Sequence, residues 1–474
     1  MAPAKPGRRQ RGQAIVWLLG TLAASAAVLY GVYNVGQITS QKQKVINAAD
    51  AAALAGATVE ARALNLMAYN NRAMIANEVF MVQTVAMEGW FQYLKTDADN
   101  MEDYLRWIPY AGPYISRVLT AFSEAAEMAE KVLNKFIPVQ VKLLELMKTT
   151  YGGLHGAMAL STSIMADQAA ADVVTLNKAQ FGSHQDLGMQ VDERGTVKTM
   201  TTAKNWATWK AFTKRYGGND RTDAKTVLMA SRDQFTGGPR PGTWWNDFSL
   251  GLIGFEKLGD TQLKGFDRWE SEDTHEFWEY GFCKSWKKCY QSIGWGRADL
   301  ANNTSKGATW SPGRGAQSNA RNDSARHGGW SGVPSVYDIA DKQVAHRETL
   351  GVDYLVAVKR DQNASLTTKT LKVGVATSSM AGSPEMDEKL LGNQLSAIGK
   401  ARVFFERPQS GIGDNTANAL FRHDGAKEYG SLFSPYWQVR LADVSATEKT
   451  AYMSALGMNP ASAAVLSKVT PGGQ

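Results

Sequence analysis

The chain has 474 residues, a hydrophobic fraction of 44% and a formal net charge of +7. Its length allows two or three folded domains, and its composition excludes a chain that is disordered throughout. Four positive charges lie in the first twelve residues, so the +3 left for the remainder is too small for a groove that neutralises many phosphates, and we expect no nucleic-acid partner.

The first predicted element is an apolar run from Ala14 to Val35 that contains no charged residue. As a helix it would extend about 33 Å, against about 30 Å for the hydrocarbon core of a bilayer. A cleaved signal peptide and a buried core helix are the alternatives. We predict a membrane-spanning helix at 13–37.

A basic leader at 1–12 precedes this helix and contains Lys5, Arg8, Arg9 and Arg11. The positive-inside rule places such a cluster in the cytoplasm. The large body that follows the helix is therefore expected on the other side of the membrane, in a single-pass protein.

The next predicted region, 38–181, is helical. No proline occurs from Gln13 to Leu94, and the composition favours helix, so the spanning helix should continue outward as one rod or two nearly coaxial pieces. Pro109 and Pro113 predict a turn, Pro138 a kink or break, and "YGG" at 151–153 another interruption. Apolar residues at three- and four-residue steps predict helical arms packed on one another.

From residue 182 the composition shifts to short, strand-like runs. Region 182–334 is rich in Gly and Trp and contains a polar stretch, 301–332, that predicts a long mobile surface loop.

Region 335–474 is predicted to be β-rich and to end in a short helix. Its predicted strands are 354–360, 371–379, 401–407 and 436–444, and their alternation favours a mainly antiparallel sheet. The predicted fold class is α+β.

The two cysteines, Cys283 and Cys289, lie in "CKSWKKC". This spacing is too wide for a redox CxxC motif and lacks partners for a zinc site. In an exported domain we expect a disulfide that closes a small loop. The alternative is a pair of thiols in a reducing compartment.

Small residues recur at four-residue steps along the N-terminal helix. They lie within the span and just beyond it, at Gly20, Ala23, Ala24, Ala27, Gly31, Ala48, Ala52 and Gly56. Such faces let helices approach closely, so we expect them to pack against helices of other subunits. The alternative is a stable helix with no partner.

Two segments, "RGQAIV" at 11–16 and "QKVINAADAAALAGA" at 43–57, resemble the N-terminal segment of Flp pilus-assembly proteins of the TadE/TadG-like family. Asn47, Asp50 and Gly56 fall in the family's usual pattern, and the resemblance covers about residues 11–60. It implies a membrane-anchored, pilin-like minor or accessory component of a Tad/Flp pilus or related secretion machine. Such a protein would act by assembly, with other machine subunits and the bilayer as partners.

The resemblance also implies a location. The anchor would lie in the bacterial inner membrane, with the N-terminus cytoplasmic and the body periplasmic, or extracellular within a pilus. A pilin-type leader cleavage would fall between Gly12 and Gln13. The fifth residue after that junction is Trp17, where type IV pilins have Glu, so we predict an uncleaved anchor and keep cleavage as the alternative.

The sequence contains two weak approximations to metal motifs. "DVSAT" (Asp443, Ser445, Thr447) approximates a DxSxS site but has fewer than thirty residues after it. "HEFWE" (His275, Glu276 and Glu279) resembles half of a zinc-protease helix without the second His. Phosphate-loop, dinucleotide-binding and nucleophile-elbow motifs are absent. We therefore predict no enzyme, no metal, no cofactor and no small-molecule substrate.

Two other functions stay open. One is an anchored periplasmic enzyme, which a cluster of perturbed carboxylates or histidines in a deep pocket would favour. The other is a pilus-tip adhesin. A solvent-exposed aromatic patch would favour the adhesin, with candidates Trp244, Trp245, Trp278, Trp295 and Trp310.

Overall fold

The computed structural model describes residues 13–106, 108–179, 196–240, 249–281, 287–307, 315–342, 350–361, 394–407 and 429–455. Its helices are α1 (Gln13–Leu105), α2 (Gly112–Ala179), α3 (Thr196–Phe212), α4 (Thr222–Ala230), α5 (Gln234–Gly237), α6 (Gly315–Asn322) and α7 (Ala446–Ala455). Its strands are β1 (Thr213–Tyr216), β2 (Ile253–Lys264), β3 (Arg268–Gly281), β4 (Lys287–Ala301), β5 (Ala325–His327), β6 (Val336–Ile339), β7 (Gly351–Asp361), β8 (Gln394–Phe405) and β9 (Trp437–Leu441). The fold class is α+β.

The longest element is α1, whose 93 residues extend about 140 Å. It contains no proline and is rich in strong helix formers, so nothing in its sequence interrupts it. The predicted turn follows it, with Tyr110 at φ 65°. Gly112 then opens α2 at a position where a Cβ atom would lie 2.2 Å from the Arg106 carbonyl oxygen.

Helix α2 returns antiparallel along α1. Near the turn, the hydroxyls of Ser116 and Thr120 donate to the Glu102 carboxylate at 2.7 and 3.0 Å. Farther along, Ile137 and Val141 are buried in the same core as α1 residues.

The breaks predicted at Pro138 and at 151–153 are not present, because α2 continues through both. Pro138 lies on the exposed side of the helix. Its buried neighbours hold the helix against α1, and burial of an apolar face outweighs a local loss of helix propensity.

The strands form two main sheets. In the first, order β2-β3-β4-β5, the first three strands are antiparallel and β5 is parallel to β4, with a register shift in β3 at His275/Glu276. The second sheet, order β7-β8-β9, is antiparallel. Strands β1 and β6 form a separate antiparallel pair.

Two hydrophobic cores form along α1. The first joins α1 residues from Val45 to Met67 with the β7-β8-β9 sheet, the end of α2 and Trp209. The second joins α1 residues from Met74 to Val85 with the four-stranded sheet, the middle of α2 and Trp330. The same helix therefore supplies one wall of both cores.

Glycines allow the second sheet to approach α1 very closely. A Cβ atom on Gly399 of β8 would lie 2.2 Å from the carbonyl oxygen of Ala49. A Cβ atom on Gly56 of α1 would lie 2.2 Å from the ring of Tyr354 on β7. Neither distance is compatible with a normal contact, so the sheet position depends on the absence of side chains at these two residues.

The structure corrects the prediction of a mobile loop at 301–332. Within this range, residues 315–322 form α6 and residues 325–327 form β5. Trp330 is 1% exposed, and its indole nitrogen donates to the Glu78 carboxylate at 2.9 Å. The polar composition misled the prediction because these side chains pack on a sheet and helix that lie far away in sequence.

Three predicted strands correspond to β7, β8 and β9, and β8 begins seven residues earlier than expected. The predicted strand at 371–379 lies outside the described residues.

Replacing Gly399 with Ala tests the close contact between sheet and helix. The new methyl group would meet backbone atoms of Ala49, so we expect a loss of about 1–3 kcal/mol in the free energy of unfolding. Thermal and denaturant unfolding of the detergent-solubilised chain would measure it. Gly152→Ala in α2, where a Cβ atom meets nothing within 4 Å, is the control and should be neutral or stabilising. Equal stability of the two variants would contradict the packing described here.

Candidate functional site: the N-terminal helix and the charges buried against it

The first segment of α1 is apolar on all sides and exposed on all sides. Its 18-residue window has a mean hydropathy of 1.9 and no buried surface, so its length and composition suffice to cross a membrane. Gly20, Ala23, Ala24 and Ala27 are exposed, and Gly31 is half-buried. A helix that is apolar all round is stable in a protein core or in lipid, and none of the described residues buries the apolar window of this segment.

The helix enters the folded body at about Asn34, which is 7% exposed. Gln41 is buried to the same degree, and the Lys42 ammonium donates to the carbonyl oxygen of Ser396 on β8. Desolvation by burial lowers the pKa of Lys42. The exposed apolar segment thus ends where contact with the second sheet begins.

The alanine-rich segment that follows is covered by the chain's own strands. Ala48 and Ala52 are 1% and 0% exposed, and Gly56 is buried under Tyr354. This part of the predicted packing face is buried in the core that α1 forms with the second sheet and the end of α2. Of the small residues in the predicted face, only Gly20, Ala23, Ala24 and Ala27 keep the full exposure that the predicted intermolecular packing requires.

The polar residues of the family pattern lie beside this covered face. Asn47 is exposed and accepts a hydrogen bond from the Gln43 amide at 3.0 Å. Asp50 is half-buried, and desolvation raises the pKa of its carboxyl.

Glu60 lies one turn beyond this segment and is fully buried. Among the described residues, neither of its carboxylate oxygens has a hydrogen-bond partner. Desolvation, followed by repulsion from Asp167 and Asp353, raises the pKa of Glu60 to about 8. The hydroxyl of Tyr354 donates to Asp167 at 2.6 Å, so acidic groups of three elements meet where α1, α2 and β7 are packed together.

Farther along α1, three more buried acids bind partners from other elements. Glu78 pairs with Lys148 of α2 at 2.9 Å as well as with Trp330. Glu88 lies 2.6 Å from Nε2 of His327 on β5. Asp97 lies 2.5 Å from Nδ1 of His275 on β3. The sequence analysis did not single out these acids, although carboxylates within an otherwise apolar helix face are a signal of buried pairing.

The sheet itself contains two buried ionic clusters. In one, the Arg240 guanidinium and the Lys257 ammonium bind the Asp273 carboxylate at 2.6 and 2.5 Å. In the other, Arg297 alone contacts three carboxylates, from Glu270, Glu272 and Asp299, at 3.2, 2.6 and 2.8 Å.

The Arg297 cluster has an excess of negative charge. Desolvation raises the pKa of Glu272 to about 7, although Arg297 opposes that shift. All four side chains are at most 2% exposed. These are perturbed carboxylates, but they are enclosed, so their geometry favours a role in fixing strands over a role in binding a substrate.

The weak metal motifs have structural roles here. His275 is paired with Asp97, and Glu276 accepts the backbone N–H of Ala316 at 3.1 Å. Ser445 begins a capping box of α7, in which its backbone N–H donates to Glu448 at 2.9 Å and its hydroxyl accepts the Glu448 N–H at 3.3 Å. Within the described ranges, no group of three or more acidic, His or Cys side chains could hold a metal ion.

The structure does not test the disulfide or the leader cleavage. Cys289 lies on β4 opposite Glu279, whereas Cys283 lies outside the described residues, so their disulfide stays a prediction. Gly12 also lies outside them, and Gln13 is the first residue of α1.

The predicted aromatic patch is tested at only two of its five tryptophans. Trp278 is 5% exposed. Trp295 is half-buried and donates its indole N–H to Asp323 at 2.8 Å. Trp244, Trp245 and Trp310 lie outside the described residues. The two that are described therefore pack against the body and are not open to a ligand.

An open groove of about 990 Å³ runs along the outer side of α1 between α4 and residues 429–434. Its apolar wall includes Ile75, Val79 and Phe433. At its rim, Lys342 forms ion pairs with Asp223, at 3.0 Å, and with Asp338. These charges satisfy one another, so the groove presents mainly apolar surface.

The buried Glu60 predicts a specific pH dependence. Its carboxyl has a pKa of about 8 in the fold and 4.5 as an ordinary glutamate. Between these values the unfolded chain releases the proton while the folded chain keeps it, so the stability falls as the pH rises through that window. We expect Glu60→Gln to remove this loss. It should stabilise the protein by on the order of 4 kcal/mol at pH 8 and be nearly neutral near pH 4.

Thermal unfolding of the full chain in detergent, from pH 4.5 to 8.5, measures the effect. Glu124→Gln changes an exposed position of α2 and is the matched control. Parallel stability curves for wild type and Glu60→Gln would show that this carboxyl does not titrate as its surroundings indicate.

Comparison with known proteins adds to this geometry. Residues 12–59 match the sequence model of the TadE/G-like Flp pilus-assembly family. No curated protein and no solved structure matches the chain. The matched residues are the exposed apolar segment of α1 and the alanine-rich segment beneath β7 and β8, which confirms the resemblance found in the sequence. Over residues 12–59, the chain is therefore similar to the TadE/G-like Flp pilus-assembly family.

Proposed function

We propose that this protein is a membrane-anchored accessory component of a Flp-type pilus assembly machine, and that it acts by holding subunits together and not by catalysis. The observation that carries the proposal is the division of α1 at Asn34. Before this residue the helix is apolar and exposed, and after it the helix buries one side against α2 and two sheets. The family match spans this division.

The division limits which part of the helix other subunits can contact. The small residues at 48, 52 and 56 are buried within the chain's own fold, so we assign helix packing between subunits to the segment that includes Gly20, Ala23 and Ala27. This segment has the length of a bilayer span, and small faces are favourable for helix association in lipid. The proposed partners are therefore membrane helices of other components of the machine.

The same division supports a stationary anchor over a shaft subunit. A subunit that packs into a filament through its N-terminal helix needs a long exposed helix, whereas the free part here is only as long as the bilayer is thick. The basic leader at 1–12 supports an orientation with the N-terminus in the cytoplasm and the body in the periplasm.

A fractionation experiment tests this function. An epitope inserted after Asn219, in an exposed turn, leaves the described cores intact. After shearing of pili, we expect the full-length chain in the inner-membrane fraction. Recovery with sheared filaments, shortened by twelve residues, would instead identify a processed filament subunit. Recovery in the cytosol would refute the anchor.

The packing face is tested in the same strain. Ala23→Leu/Ala27→Leu closes the small face while preserving hydrophobicity, so we expect unchanged membrane insertion and about a tenfold loss of surface pili. Val28→Leu, at an exposed position of the same segment, is the control and should keep normal pili. Normal piliation with the double variant would contradict a role for this face.

A further inference from the structure

Helix α2 presents a row of large apolar side chains to solvent. Nine residues of this row are between 42% and 69% exposed: Val118, Phe122, Val132, Phe136, Val139, Leu143, Leu146, Leu160 and Ile164. Soluble surfaces contain scattered apolar side chains, but a continuous row along one helix is typical of an interface.

The spacing of this row is regular. From Val118 to Ile164 the steps alternate between four and three residues, which is the a/d pattern of a heptad repeat. The positions between the large residues are filled by Ala125, Ala129, Thr150, Gly153 and Ala157. No charged residue interrupts the series, which is called the α2 seam below.

The α2 seam is distinct from the face that packs on α1. That face includes Ile137, Val141 and Leu144, all buried. At 100° per residue, the centres of the two faces lie roughly 130° apart around the helix. A helix with two such faces is suited to lie between two neighbours, and within the described residues only the face that includes Ile137, Val141 and Leu144 is covered.

Most of this seam lies too far from the proposed membrane to be covered by lipid. His155 of α2 lies beside Met67 of α1, where its ring nitrogen is 3.1 Å from the Met67 carbonyl oxygen. Met67 is 33 residues past Asn34 along α1, or about 50 Å. The part of the seam from Val118 to Leu146 is farther still from the proposed membrane, because α2 runs back towards it.

We propose that the α2 seam binds the same seam of a second copy of this chain, as a parallel two-stranded coiled coil. A helix with a strict heptad repeat buries its apolar row along its whole length when it pairs with another helix of the same repeat. The α2 helix of a second copy has the same repeat and the same length. The parallel orientation rests on the proposed membrane anchor, since two copies anchored in one membrane direct their α2 helices the same way.

Charge and area are compatible with this pairing. Lys135 and Lys142 flank the seam on one side, and the other side has no charged residue. In a parallel register these two sides face each other, so no like charges meet. Nine half-exposed apolar side chains offer roughly 900 Å² per copy, close to the ~800 Å² per partner that stable interfaces bury.

Cysteine crosslinking of the full chain, purified in detergent, tests both the partner and its direction. Phe122→Cys and Ile164→Cys lie near the two ends of the seam. Each should form a disulfide-linked dimer with itself, at least about fivefold above Lys131→Cys, which lies on the exposed side away from the seam. The wild-type chain, with Cys283 and Cys289, gives the background.

A second variant separates dimerisation from folding. Leu143→Glu/Leu146→Glu places charges in the seam, so we expect at least a tenfold weaker dimer in sedimentation with an unchanged melting profile of the monomer. Lys131→Glu should leave dimerisation unchanged.

Other outcomes would overturn the proposal. The proposal is wrong if the purified chain is purely monomeric, or if crosslinks in cells form only to a different protein. It is also wrong if crosslinks form only between a copy with Cys at position 122 and a copy with Cys at position 164, since that pairing is antiparallel. Dimerisation is read in purified protein and the anchor in cell fractions, so failure of this inference is distinguishable from failure of the proposed function.

Discussion

The structure depends on one helix that serves several neighbours at once. Both sheets and α2 pack on α1, and each of the two hydrophobic cores uses it as a wall. In the first core, several elements can pack on the same helix because its alanine and glycine residues keep it thin. Gly56 admits the Tyr354 ring, and Gly399 brings β8 against the backbone at Ala49. Larger residues would move the sheet outward and open the core.

A thin, repetitive helix does not by itself specify where a sheet should lie along it. The alanine segment looks similar after a shift of one turn, so its shape alone gives weak register. The acids of the second half of α1 remove that ambiguity. Glu78 pairs with α2, Glu88 with β5 and Asp97 with β3, so each acid fixes the position of a different element. Any shifted arrangement would leave these charges buried and unpaired, which costs several kcal/mol for each.

The sequence predicted the elements that depend on local residue patterns. The unbroken α1, the turn at Pro109 and the three strands that became β7, β8 and β9 all follow from propensity and alternation. What it missed depends on distant contacts. Pro138 and the glycines at 152 and 153 were expected to interrupt α2, but packing against α1 carries the helix through them. The polar stretch around Trp330 folds because that indole reaches Glu78, 252 residues away.

The candidate site was predicted in outline, including the end of the apolar segment near residue 37. Small residues were expected to pack along the whole N-terminal helix. They recur on both sides of Asn34, and only the tertiary structure shows that positions 48, 52 and 56 are buried within the chain's own fold. Glu60 was likewise invisible to motif analysis, because a single buried acid forms no pattern.

The continuity of α1 has a mechanical consequence. Within the described residues the chain has no joint between the apolar segment and the far turn, so the body cannot swivel independently of the helix that carries it. The 71 residues from Val35 to Leu105 form a lever about 105 Å long. A change of about 10° in the tilt of the membrane segment, well within the range such helices adopt, would sweep the far end through about 18 Å. Small adjustments at the bilayer would therefore become large displacements at the tip.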